Sequence, residues 1–598
     1  MKSALKLAGA LVLGIASAIA QAAQERPNIL LIVGDDISYG DLGISGSVSR
    51  TPALSQLAEE GLTFTRFHAS PVCSVTRGML MTGSDPVDIG LAAFDYAVYP
   101  PAVGKPGYES VLTPNTTATI AELLQDSGYR TYMTGKWHLG GSHGRGMGPH
   151  EWGFDHSYSI YTGGSNHWNS GVFHVDTHDA ETMKLVKQGI IPSEPYFEDG
   201  KQVQRPLGIY SDSLYTSKML EYIESERDSG KPFFAYMAYT TAHAPLQAPD
   251  FLVDKYVEHY RKLGFAGLKE RRFEQQKRLG LIPEDAVFPD TEKNALLRKW
   301  EDLSDADKDI QARTMAVYSA MMESQDFHIG MVLNYLVESG QRDNTLIIYL
   351  ADNGPEGLDS RGKLSNPMAN SWVQKNFSQE LKDIGRGNAF AFIGTDMANA
   401  STGGLQWWKW FIGEGGVRVP MMIVPPRGDA FAHKGELTDT YANVRDVPMT
   451  ILSYAGVDRP DTFKGRSLKP TSGIDMRAFI EGKRDRVRSD EQWSAFELFG
   501  NGYIVTGEYK AMRVREGMWG DNTWHLYNIL HDPGETAPLD DKQPDRLAKM
   551  VATWENWAET KGVQPVRDDW SPWFGFPEDR QKMIEQMKKM GIPLQGSN

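Results

Sequence analysis

Cys73, the only cysteine in the chain, stands four residues before Arg77 in the run Pro71-Val-Cys-Ser-Val-Thr-Arg-Gly-Met-Leu-Met-Thr-Gly83. If Arg77 begins a helix, Cys73 lies at or just before its N-terminus. There the backbone N–H groups and the helix dipole favour negative charge. A nucleophile in that place, beside an arginine, suits attack on a sulfate or phosphate group. Read alone, the same run is also an ordinary capped turn leading into a helix, with Arg77 exposed and Cys73 a small buried apolar residue. One cysteine cannot form an internal disulfide.

Other residues offer the remaining parts of a hydrolytic site. Asp35 and Asp36 are adjacent, and two neighbouring carboxylates repel unless a cation or hydrogen bonds compensate. Asp352-Asn353-Gly354 adds a carboxylate and an amide oxygen. Such hard oxygen donors suit Ca²⁺ or Mg²⁺ better than a transition metal. Each pair is also common in plain turns, Asn-Gly especially. Lys136 and His138 are two residues apart and point the same way if the chain stays extended. His243 lies in Thr240-Thr-Ala-His-Ala-Pro245, and Lys409 in Trp407-Trp-Lys-Trp410. A core histidine and a packed tryptophan cluster are the ordinary alternatives for these two. The tryptophans, and the aromatics and histidine of 163–168, are also candidates to line a pocket for an aryl group.

The elements that must position these residues alternate. The continuous apolar run 28–33 reads as a strand buried on both faces. A helix over 117–127 stops at Gly128, and a strand over 129–133 follows. Residues 233–239 read as a strand. Residues 313–339 read as a long helix with Ile329, Val332, Leu333 and Leu336 on one face. Residues 345–350 read as a strand. Alternation of this kind predicts an α/β domain with a mostly parallel sheet. Asp35, Lys136, His243 and Asp352 all fall at or just past strand ends, where open α/β sheets bind ligands. Beyond about residue 470, short strand-like runs at 502–506, 511–514 and 524–530, then a helix at 544–560, predict a smaller α+β unit with an antiparallel sheet.

The Cys73 segment resembles the signature of the type I sulfatases, in Cys73, Thr76, Arg77 and Thr82-Gly83. Val75 departs from the proline usual at its position, which bears on the maturation step. Gly135-Lys-Trp-His-Leu-Gly140 resembles a second sulfatase signature, and Glu414-Gly-Gly-Val-Arg-Val-Pro420 is also similar to the family. These runs occur in family order, the resemblance extends from about residue 27 to at least 539, and it is closest to bacterial arylsulfatases. It implies the alkaline-phosphatase-like sulfatase fold and hydrolysis of a sulfate ester. It implies that Cys73 is oxidised by a separate enzyme to formylglycine, whose hydrate is the nucleophile. It implies one Ca²⁺ on Asp35, Asp36, Asp352, Asn353 and residue 73. By the same resemblance Arg77 and Lys136 contact sulfate or the diol, and His138 takes a proton from the remaining hydroxyl of residue 73. His243 and Lys409 then serve the leaving-group oxygen.

The chain start fits an export signal: Lys2 and Lys6, a mostly apolar run over 7–20, then Ala20 and Ala22 around Gln21. The expected layout is a signal at 1–22 and a catalytic domain at 25–470 carrying a charged helical insertion at 250–307. A C-terminal subdomain follows at 471–562, and a tail at 563–598 packs on the body. In the tail, Met583, Ile584 and Met587 fall on one face of a short amphipathic helix. Periplasmic or secreted location is expected, with no membrane association after signal cleavage. The net charge of −15 argues against nucleic acid as a partner. The expected partners are a small sulfated ester (aryl, alkyl or saccharide) and a formylglycine-generating enzyme. Two other readings stay open at this level: a phosphomonoester or phosphonate hydrolase on the same fold, and a non-catalytic binder of sulfated glycans.

Overall fold

The computed structural model describes residues 26–579 except 96, 142–145, 169–195, 207, 292–293, 360–363 and 365–372, together with 581, 582 and 585. The expected export signal at 1–22 and the Met583, Ile584 and Met587 pattern lie outside these residues.

A ten-stranded sheet forms the centre. Its strands are β1 (Asn28–Gly34), β2 (Leu62–Phe64), β3 (Arg130–Lys136), β4 (His156–Ile160), β5 (Tyr196–Glu198), β6 (Lys201–Val203), β7 (Phe233–Ala238), β8 (Thr345–Ala351), β9 (Met421–Val424) and β10 (Glu436–Thr438). The spatial order is β10-β2-β9-β8-β1-β7-β3-β4-β5-β6. The five strands from β8 to β4 run parallel, and antiparallel pairs bring in β9, β5 and β6. Every residue of β1 is buried, as expected of a strand covered on both faces. Full burial of one such Leu or Ile side chain contributes about 1.5–3 kcal/mol.

Register aligns the carboxyl ends of the central strands. Gly34 lies beside Ala351, Val33 beside Ala238, and Gly135 also beside Ala238. The chain therefore leaves β1, β7, β8 and β3 along one edge. Residues 35–36, 240–243, 352–353 and 136–138 all emerge there. β3 runs three residues past the end read from sequence, because Gly135 permits a close approach. Its φ is +102°, and a Cβ there would lie 1.8 Å from the Ala238 carbonyl oxygen.

The principal helices are α1 (Pro52–Glu60), α2 (Cys73–Thr82), α3 (Ile120–Asp126), α4 (Ser211–Ser225), α5 (Asp250–Arg278), α6 (Asp305–Glu338), α7 (Asp446–Ala455) and α8 (Pro544–Lys561). α3 starts later than the pattern suggests, because the Thr119 side chain accepts from Glu122 N and closes a capping box. α6 starts earlier, at the Ser304 cap, whose hydroxyl accepts from Asp307 N. α5, from the charged stretch, packs along α6; Tyr260 and Arg272 are buried there.

The C-terminal sheet has four antiparallel strands in sequential order: β11 (Trp493–Leu498), β12 (Asn501–Thr506), β13 (Tyr509–Arg513) and β14 (Trp524–Asn528). α8 covers one face through Met550 and Trp557 against Ala495, Ile504, Ala511 and Leu526. α8 also reaches back to the segment that follows α2. Asp85, three residues past α2, is buried and accepts from Trp557 Nε1 at 3.4 Å, and Lys561 Nζ lies 3.0 Å from it. Beyond α8, Trp570 is buried, Phe576 lies against Tyr99, and Trp573 lies against Trp410 and Phe411. Among the described residues, no helix is long and apolar enough to cross a membrane.

Candidate active site

α2 points its N-terminus at the edge where the central strands end. Cys73 is its first residue and is fully buried. Thr76 fixes the preceding turn: its hydroxyl accepts from Ser70 N at 2.8 Å and donates to Ser70 O at 3.3 Å. Arg77, one turn on, is buried and not exposed. Its Nε and Nη2 donate to Asp352 Oδ2 at 2.9 and 2.7 Å, and Nη1 donates to the Lys136 carbonyl at 2.9 Å. This guanidinium ties α2 to the ends of β8 and β3.

The acidic floor comes from β1 and β8. Lys136 Nζ donates to Asp35 at 2.7 and 3.0 Å. Lys409 Nζ meets Asp36 at 2.8 Å and Glu356 at 3.0 Å. Asn353 Nδ2 donates to Asp36 Oδ1 at 2.6 Å. Burial pushes Asp36 up, but Lys409 first, then His243 and Lys136, draw it down to about 2. Asp35 moves the other way: burial and the Asp352 charge raise it, and Lys136 and Arg77 offset only part of this.

These residues pass a test for a hard cation. Ligand atoms of Asp35, Cys73 and Asp352 lie within 4.8 Å of one another, and so do those of Asp35, Asp36 and His243. Asn353 Oδ1 is buried with no hydrogen-bond partner among the described residues. Asp35, Asp36, Asp352 and Glu356 face Arg77, Lys136 and Lys409, so buried carboxylates outnumber buried permanent cations. An orphan amide oxygen and a surplus of carboxylate fit one divalent ion of the Ca²⁺ or Mg²⁺ type.

Two histidines flank the floor. His138 Nδ1 lies 3.4 Å from Cys73 Sγ, and its Nε2 lies 2.8 Å from Asp95 Oδ2. Burial lowers the His138 pKa, but Asp95 and Cys73 outweigh burial and raise it. The Cys73 thiol is raised by burial, yet Lys136, Lys409 and His138 bring it down to about 7. His243 Nδ1 donates to the Ala244 carbonyl at 2.6 Å, and Nε2 lies 3.7 Å from Asp36. Burial holds His243 well below its ordinary value. The loop after β4 closes over both rings. A Cβ on Gly163 would lie 2.7 Å from His138, and one on Gly164 2.9 Å from His243. His167 sits behind, with Nε2 3.2 Å from the His243 carbonyl.

All ten residues singled out from sequence therefore meet at one sheet edge. Two neighbours are not read from sequence. Asp95, the partner of His138, lies in an irregular stretch with no local signal. Glu356, the partner of Lys409, follows Asn353-Gly354 closely enough to be a candidate on proximity alone. The tryptophans around Lys409 are mostly packing: Trp408 and Trp410 are buried, and Trp410 lies edge-on to Phe94, which in turn meets His138 edge-on.

Comparison with known proteins finds sulfatases. The family model described as Sulfatase matches residues 27–457. An uncharacterised sulfatase of Schizosaccharomyces pombe is 35% identical over 560 residues, covering 92% of this chain and 96% of that protein. The arylsulfatase of Klebsiella aerogenes is 30% identical over 485 residues, covering 81% of this chain and 98% of its own. The solved structure of Ps i-CgsB in complex with k-i-k-neocarrahexaose is similar in fold. Its TM-score is 0.59 at 23% identity, covering 95% of this chain and 98% of that one. A sulfatase structure from Pseudoalteromonas sp. has a TM-score of 0.57 at 20% identity, covering 92% and 94%. The matched span carries every residue of the site from Asp35 to Lys409, and the chain belongs to the sulfatase family of enzymes.

Proposed function

We propose that this sulfatase cleaves a sulfate monoester in the manner of an arylsulfatase, giving an alcohol or phenol and inorganic sulfate. It does so with residue 73 as formylglycine and one bound Ca²⁺. The observation that carries the reading is the meeting of Cys73 with His138 at a helix N-terminus, above an oxygen-rich floor. Cys73 Sγ stands here for the oxygens that residue 73 carries after oxidation. That group supplies the hydroxyl that attacks sulfur. Asp35, Asp36, Asp352, Asn353 and residue 73 would hold the ion, which supplies positive charge against the sulfate oxygens.

The chain's own side chains divide the proton work. A carboxylate only accepts, so Asp95 fixes the proton of His138 on Nε2. That leaves the Nδ1 lone pair facing residue 73, ready to take a proton from its hydroxyl. The Ala244 carbonyl likewise fixes a proton on His243 Nδ1. His243 Nε2 can donate only as an imidazolium, and an anionic ester beside it favours that form. Lys409, held between Asp36 and Glu356, stays cationic and faces charge developing on the leaving oxygen. Arg77 and Lys136 hold the acidic floor in place and add positive potential toward the sulfate.

Residues 1–22 act as the export signal in this reading, delivering a periplasmic or secreted enzyme, and a separate enzyme oxidises Cys73. The layout is a catalytic domain at 25–470 with a helical insertion at 250–307, a subdomain at 471–562 and a tail at 563–598 that packs on the body through Trp570, Trp573 and Phe576. The first test is the mass of the peptide spanning Cys73, from protein made in its native host. Conversion of thiol to aldehyde removes about 18 Da. An unshifted peptide from active enzyme would defeat the mechanism. Cys73→Ala should fold normally and lose at least about 10³-fold in turnover of p-nitrophenyl sulfate.

A further inference from the structure

We infer that Glu356 is a positioning residue for departure of the leaving group, acting through Lys409. The inference rests on the proposal that Lys409 faces the leaving-group oxygen.

Lys409 Nζ lies between two buried carboxylates, Asp36 at 2.8 Å and Glu356 at 3.0 Å. The two have different obligations. Asp36 belongs to a cluster of candidate ion ligands, whereas Glu356 belongs to neither such group. Glu356 is therefore the dedicated partner of the lysine. It is itself held firmly: Oε1 accepts from Leu358 N at 3.0 Å and from Trp410 Nε1 at 3.3 Å, leaving Oε2 for the ammonium. The backbone adds a further tie, since Lys409 N donates to the Pro355 carbonyl at 3.1 Å. The segment before Leu358 thus grips Lys409 by both main chain and side chain.

A lysine side chain is a flexible stem with a point charge, and fixing it costs rotamer freedom. Without the Glu356 charge, Asp36 is the carboxylate left in contact with Nζ among the described residues. The ammonium would then swing toward Asp36 and away from the leaving oxygen. When the S–O bond to the leaving group breaks, its electron pair stays on that oxygen. The weaker the acid formed, the more the step depends on a cation or proton held at that place.

The test is a series of aryl sulfates graded in the acidity of the phenol released, with kcat/KM measured for wild type, Glu356→Gln, Lys409→Ala and the double variant. Glutamine keeps the size of Glu356 and can still accept from Leu358 and Trp410. The expected loss in E356Q grows from roughly 3-fold on p-nitrophenyl sulfate to roughly 100-fold on phenyl sulfate. In the Lys409→Ala background, E356Q should add less than about 2-fold. The same loss across the series overturns the inference, as does no loss, or a full additional loss in the double variant. If E356Q fails to give a cooperative melt, Glu356→Asp replaces it. Its shorter carboxylate should give a smaller loss that is still graded, and an ungraded loss overturns the inference equally. A wild type that carries the 18 Da change but is inactive on every aryl sulfate overturns the arylsulfatase reading, and the inference falls with it.

Discussion

His138 is bonded on both sides of its ring, and in the proposed mechanism the side remote from residue 73 sets the side that reacts. Asp95→Asn removes the charge that holds the proton on Nε2, and an amide can donate there in its place. The proton then moves to Nδ1, where a base is needed. We expect kcat to fall roughly 10²-fold with KM within about 3-fold of wild type, and the melting temperature to be nearly unchanged. An unaltered kcat would show that Asp95 only packs. Steady-state kinetics on p-nitrophenyl sulfate decides it. At this scale most of the ten candidate residues are legible because they lie in short, distinctive runs at or just past a strand end or in the first turn of a helix, whereas Lys409 sits in an irregular stretch among tryptophans. Asp95 is not legible. It meets His138 across 43 residues from a stretch with no periodicity, and only the folded chain brings the two together. Arg77 is legible as a candidate, but its burial and its bond to Asp352 are not, since an isolated arginine four residues past a cysteine reads equally well as solvent-exposed.

The fully buried strands are the most readable elements, since both faces must be apolar. β1, β7 and β8 fall within a residue of their sequence limits. β11 escapes a sequence reading because it carries Glu497, a buried glutamate raised to about 7 by burial, which breaks the apolar pattern. β14 is readable, and it carries a pH-dependent tie. His525 Nδ1 lies 2.6 Å from Asp540 and Nε2 2.8 Å from Asp521. Burial disfavours the charged ring, but the two carboxylates outweigh burial and raise its pKa above the ordinary value of 6.5. A raised folded-state value stabilises fully below the unfolded value, and that contribution is lost as pH climbs through the folded value. Thermal melts of His525→Gln should therefore fall below wild type at pH 6, and the gap should close by pH 9. A gap that widens with pH would reverse the assignment of charge.

Across the whole molecule, the two sheets are joined by a buried ionic cluster. Lys510, on β13, donates to the Ile412 carbonyl, to Glu414 Oε1 at 2.9 Å and to Glu535 Oε1 at 2.7 Å. Glu535 in turn accepts from Glu414 N at 2.9 Å, and His68 meets Glu414 at 3.1 Å. The loop that carries Lys409 is thereby pinned to the C-terminal sheet. Lys510→Met leaves two buried glutamates without their cation and should cost about 3–5 kcal/mol in denaturant unfolding. A cost under about 1 kcal/mol would mean that the glutamates share a proton and need no lysine. The division into a large mostly parallel sheet and a small antiparallel one is visible in sequence. The joint is not, because its partners are far apart in the chain and each looks like a surface charge. The tie from α8 to Asp85 has a consequence in time. Trp557 and Asp85 are 472 residues apart. A ribosome adding about 5–20 residues per second needs roughly 25–95 s to make the stretch between them. Until then Asp85, just past α2, lacks its Trp557 and Lys561 partners, whereas in the finished fold Cys73 has no exposed surface. In the proposed maturation, an enzyme that oxidises Cys73 would have that interval before α8 closes on Asp85, and shortening the chain beyond Asp85 would shorten it.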